Sequence, residues 1–99
     1  MVDNRKKKDD GFPVIARVIK QEGHCLAGHR VGDEVVFEGD EVHGMVCIHA
    51  MYSFLPKVVA LRYGADFPWL DDKDVATHAC PDAANPVVFE IRRVRDRSD

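Results

Sequence analysis

No Cys-x-x-Cys pair occurs among the three cysteines, so the close ligand spacing behind most zinc signatures is missing. No apolar run reaches the roughly 18 uninterrupted residues of a membrane span, because the longest, over 44–64, contains His49, Pro56 and Lys57. The N-terminus is charged and has no apolar signal-peptide core. Positive charge is not in excess either: the net charge is −3, which gives no bulk attraction to nucleic acid. Internal repeats, low-complexity segments and recognisable catalytic motifs are also absent. Together these absences point to a cytoplasmic protein that engages neither membrane nor nucleic acid. Its cysteines are then reduced thiols or metal ligands rather than disulfides.

What is present fits one small globular domain. The chain has 99 residues, 45% hydrophobic and 31% charged. A domain of that size buries a real but marginal core, and a partner subunit or a metal would add to it. The domain is placed at 11–95. Residues 1–10, with Arg5-Lys6-Lys7-Lys8 against Asp3, Asp9 and Asp10, read as a solvated charged tail, with a weak anion-binding arm as the alternative. Residues 96–99 form a second tail.

The chain is organised around Gly44 to Gly64. This apolar stretch is too long for one strand, and it predicts a helix over 45–63 that stops at Gly64 with Arg62 in its last turn. Met45, Ile48, Met51, Leu55 and Val58 follow three- and four-residue steps along one face. Val46, Ala50, Phe54 and Leu61 widen it, and His49, Ser53 and Lys57 form a single polar line. Pro56 predicts a kink or break.

Period-two runs flank the helix. Strands are predicted over 12–21, 33–38, 75–80 and 87–94, with a loop of three glycines at 22–32 and a turn at 39–43 leading into the helix. The order ββαββ predicts an α+β fold, a small antiparallel sheet with one main central helix packed on one face. A small barrel plugged by the helix is the alternative. The expected core is Val14, Val18, Val35, Phe37, Ile48, Met51, Leu55, Val58, Leu61, Val87, Phe89 and Ile91. Arg92, Arg93, Arg95 and Arg97 read as an exposed basic strand tip that discourages edge pairing.

Several motifs form an ordered set: Gly28-His29-Arg30-Val31-Gly32-Asp33-Glu34, Gly44-Met45-Val46-Cys47, Ala60-Leu61-Arg62-Tyr63-Gly64-Ala65-Asp66-Phe67-Pro68-Trp69, Cys80-Pro81-Asp82 and Asn85-Pro86-Val87-Val88-Phe89-Glu90-Ile91-Arg92-Arg93. Over residues 12–95 the chain resembles a family of small prokaryotic proteins with no assigned activity. The resemblance implies a prokaryotic, intracellular protein. It also implies a cysteine shortly after the helix-opening glycine and another before the last hairpin turn, the places of Cys47 and Cys80. It implies no reaction, substrate or cofactor.

Cysteine and histidine fall into three groups: His24, Cys25 and His29 in the first loop, His43, Cys47 and His49 around the helix start, and His78 with Cys80 on the third predicted strand. Each group lies at the end of an element, where side chains from different segments converge. Cys25, Cys47, Cys80 and His78 make up the four soft ligands of a zinc or iron site, and Cys47 and Cys80 are expected close together. In a second reading the thiols merely pack, and the protein is a homodimeric interaction or ligand-binding module. A third makes Cys47 a nucleophile at a helix N-terminus, with His49 or His78 as base. Phe67 and Trp69 either cover the end of the core or wall a pocket for a small-molecule ligand.

Overall fold

Alternation of apolar and polar residues builds the sheet, as strand geometry requires. The computed structural model describes residues 11–23, 28–81 and 83–95. The two expected tails, the loop residues His24 and Cys25, and Asp82 of the Cys-Pro-Asp motif lie outside them. The elements in chain order are β1 (Val14–Gln21), β2 (Glu34–Glu38), β3 (Glu41–His43), α1 (Ile48–Arg62), β4 (Val75–Ala79) and β5 (Val87–Arg93). The strands form one sheet in the order β3-β2-β1-β5-β4, every pair antiparallel. The fold is α+β, with α1 laid across one face.

One strand was not expected. Residues 39–43 form a hairpin with β2 rather than a simple turn: Glu38 pairs with Glu41 across Gly39 and Asp40. Gly39 sits at φ +60, the first-position glycine that a II′ hairpin turn uses. The sheet therefore has five strands instead of four. Gly44 then turns the chain back at φ +117, so close to β2 that a Cβ there would lie 2.7 Å from the Glu34 carbonyl oxygen. The helix begins only at Ile48, later than Gly44 suggested.

The core lies between α1 and the sheet. Val14, Ala16, Val18, Val35, Phe37, Ala76, Val87, Phe89 and Ile91 supply the sheet side; Ala50, Phe54, Val58 and Leu61 supply the helix side. Phe54 packs against Phe89 and edge-on to Phe37, with centroids 5.0 and 6.1 Å away. The helix face differs from the expected one. Ile48 is 69% exposed and Leu55 is also exposed, whereas Ala50 and Phe54 are buried. Because the helix is apolar nearly all round, periodicity leaves its rotation open. Packing settles it by placing small Ala50 close to the sheet and the large Phe54 ring in the centre. Pro56 stays within a continuous helix, on its exposed side.

α1 ends as Gly64 foretold. The Gly64 N–H donates to Leu61 O and the Ala65 N–H to Ala60 O, at 3.1 and 2.9 Å. With Gly64 at φ +91, this is a Schellman stop. Among the described residues no helix is long and apolar enough to cross a membrane.

Candidate functional site

The expected metal ligands occupy three different settings. Cys25 lies outside the described residues. Cys47 is the residue capping the start of α1, and its side chain makes no capping bond. Its backbone N–H donates to Nε2 of His29 at 3.2 Å, and its Sγ lies 3.7 Å from Nδ1 of His49. Cys80 follows β4, where its N–H donates to Val87 O at 2.8 Å and its Sγ accepts from the Val87 N–H at 3.3 Å. Both cysteines are half-buried against the core. His78 lies on β4 directly across from Phe89. Among the described residues no group of three or more His, Cys, Asp or Glu side chains is arranged to hold a metal ion.

His29, grouped with His24 and Cys25 in the sequence but not among the four expected ligands, has a structural setting. It is buried, and its ring stands edge-on to Phe89 with centroids 5.4 Å apart. Because an amide can only donate, Nε2 must be the unprotonated nitrogen, and the imidazole is neutral. Burial holds its pKa below the ordinary value, against a smaller upward push from Asp33. His29 therefore satisfies an N–H at the head of α1 that no side chain of the helix caps.

His78 is held by the helix. Its Nε2 lies 3.0 Å from Ser53 Oγ, and Ser53 Oγ–H donates to Ala50 O at 2.8 Å. With the hydroxyl proton given to Ala50, His78 donates to the serine. The pair ties α1 to β4. Burial, then the Lys57 charge, lowers the His78 pKa. Lys57 Nζ donates to Thr77 O at 2.8 Å and covers part of the outer edge of β4. The polar line on α1 thus faces the edge strand. His49 is exposed, and among the described residues no further group orients its ring toward Cys47. Among the described residues the Cys47–His49 pair thus has no third, orienting group.

The basic end of β5 is divided. Arg93 is not exposed as expected: its side chain is fully buried. Its Nε donates to Asp74, Nη1 to the carbonyls of Leu61 and Ala65, and Nη2 to that of Lys73, all within 3.0 Å. Arg95 shares Asp74 from the surface. Both guanidinium groups lie over the Phe12 ring. Hydrogen bonding first from Arg95 and then from Arg93 holds the Asp74 carboxyl below its ordinary value. This cluster closes the C-terminal end of α1 against the loop that follows.

The two outer surfaces differ in kind. On the sheet, Arg17 stands between Glu34 and Glu90 in one row across three strands. On α1, the exposed residues are Ile48, His49, Tyr52, Leu55, Pro56 and Val59. None is a carboxylate, lysine or arginine. Tyr63 continues the run, with the Arg62 guanidinium 5.2 Å from its ring centroid. Phe67 packs on the core, and Trp69 stacks on it outward, centroids 5.1 Å apart. Comparison with protein-family models, curated proteins and solved structures finds no match to this chain.

Proposed function

We propose that the protein is a non-enzymatic interaction module that works as a homodimer through the outer face of α1. One observation carries this reading: apart from His49, every exposed residue of that helix is apolar. A solvent-facing helix ordinarily carries charge on its outer face. Contiguous apolar patches larger than a few hundred Å² mark association surfaces. The opposite face of the sheet carries the charged Glu34–Arg17–Glu90 row. Light scattering and sedimentation equilibrium on untagged protein are expected to give a dimer. Tyr52→Glu, which places a carboxylate in the middle of the patch, is expected to give a folded monomer with unchanged circular dichroism. A wild-type protein that stays monomeric at high micromolar concentration rules the reading out.

A second reading rests on Cys47 and Cys80, both half-buried thiols packed against the core. It places zinc or iron on Cys47, Cys80 and His78 together with Cys25. Elemental analysis separates the two: stoichiometric metal in untagged protein, lost in Cys80→Ser, favours the metal centre over packed thiols.

A further inference from the structure

We infer that the second copy docks antiparallel on α1, about a twofold axis level with the Ser53–Phe54 peptide bond; the inference rests on the homodimer reading above. Ile48, Tyr52, Leu55 and Val59 recur at steps of four, three and four, the heptad spacing of a seam between two helices. Two helices with this seam can meet in two ways. In a parallel pair each residue meets its own counterpart, so Tyr52 opposes the partner's Tyr52 and Val59 opposes the partner's Val59. Bulk then meets bulk at one level and a gap opens at another. In an antiparallel pair Ile48 meets the partner's Val59 and Tyr52 meets the partner's Leu55. All four seam residues are then matched, large against smaller.

The same axis sets Tyr63 beside the stretch leading into the partner's helix, where Met45 is 52% exposed. It places the positive end of each helix dipole beside the negative end of the other. It also separates Arg62 from its own copy, which a parallel pair would bring closer.

The surface is of the right order. Tyr52 is 83% and Tyr63 63% exposed. At about 150–250 Å² per aromatic side chain, the two offer about 200–350 Å². A standard interface takes about 800 Å² per partner, and Met45, Ile48, Leu55, Pro56 and Val59 add to the same face. The chain's own N-terminal residues are a poor occupant by composition. Within residues 1–10 only Met1 and Val2 are apolar, and seven positions are charged.

Disulfide trapping tests the orientation, in a Cys47→Ser background where serine suits the helix start. Ile48→Cys and Val59→Cys chains are prepared separately, mixed, and oxidised with oxidised glutathione; mass spectrometry identifies the joined peptides. In the antiparallel pair each residue 48 lies eleven residues along the helix from its own copy. That is about 16 Å at 1.5 Å per residue, beyond the roughly 7 Å that a disulfide spans between Cα atoms. The expected result is a 48–59 link in the mixture and none in either variant alone. A self-link at position 48 overturns the antiparallel arrangement and leaves the homodimer standing. A dimer that forms neither link overturns the seam. A monomer by light scattering removes the homodimer reading and this inference with it.

Discussion

Arg93 shows how one buried side chain can hold three segments together. Its guanidinium serves Asp74 and three carbonyls, a fork that a lysine ammonium does not reproduce. Arg93→Ala leaves those carbonyls without their donor and Asp74 with Arg95 alone, and is expected to cost at least about 1–3 kcal/mol in urea unfolding, the cost of one unsatisfied buried acceptor. Arg93→Lys should recover only part of that, and full recovery would show that charge alone matters. The histidines give a pH dependence. Both His29 and His78 are held below the ordinary value in the fold, chiefly by burial. The unfolded chain therefore takes up protons first as pH falls. Their contribution is complete above about pH 6.5 and shrinks below it. Protonated His29 also cannot accept the Cys47 N–H. The melting temperature is expected to drop between pH 7 and pH 5, and the double variant His29→Gln, His78→Gln to flatten that slope. A slope left unchanged in the double variant assigns the titration elsewhere.

For the elements, the lesson is the rotation of α1. Phe54 sits at its centre with no exposed surface, against Phe37 and Phe89. Phe54→Ala is expected to cost about 3–5 kcal/mol by lost transfer and an unfilled cavity. Leu55, one position on, faces outward. Leu55→Ala should cost under about 1 kcal/mol within a single copy and show instead as weaker self-association. Equal losses of stability for both variants, measured at a concentration where the protein is monomeric, would contradict this face assignment. Gly44→Ala faces both an unfavourable φ and the Glu34 carbonyl, and is expected to lose more than about 1 kcal/mol. The missed strand had a readable signal. Gly39-Asp40 between Glu-Val-Val-Phe-Glu and Glu-Val-His is a two-residue hairpin loop, but the three residues after it are too few to read as a strand by alternation.

For the whole molecule, self-association predicts a melting temperature that rises with protein concentration, because the dimer is favoured by mass action and the unfolded chain is not. Tyr52→Glu should remove that dependence while leaving the melting temperature at low concentration near that of the wild type. A wild-type melting curve that is independent of concentration across two orders of magnitude argues against dimer-linked stability. Chelator treatment checks the other proposal. Unfolding of a protein held by metal shifts when the metal is removed, whereas the packed-thiol reading expects no shift.

Residue pattern alone was enough for the antiparallel α+β class, four of the five strands, the Gly64 stop and nine of the expected core residues: Val14, Val18, Val35, Phe37, Val58, Leu61, Val87, Phe89 and Ile91. Period-two alternation has one buried phase, so β1, β2 and β5 declare which residues point inward. The helix does not, since residues apolar on nearly every side satisfy several rotations equally. Only the packing of Phe54 between Phe37 and Phe89 chose among them. Tertiary structure likewise decided what the polar residues do. His29 meets Cys47 eighteen positions away, His78 meets Ser53 twenty-five away, and Arg93 reaches back thirty-two to Leu61. Spacing along a chain carries no trace of such partners. The apolar outer face of α1 emerged the same way, as the side left over once the sheet had taken its own.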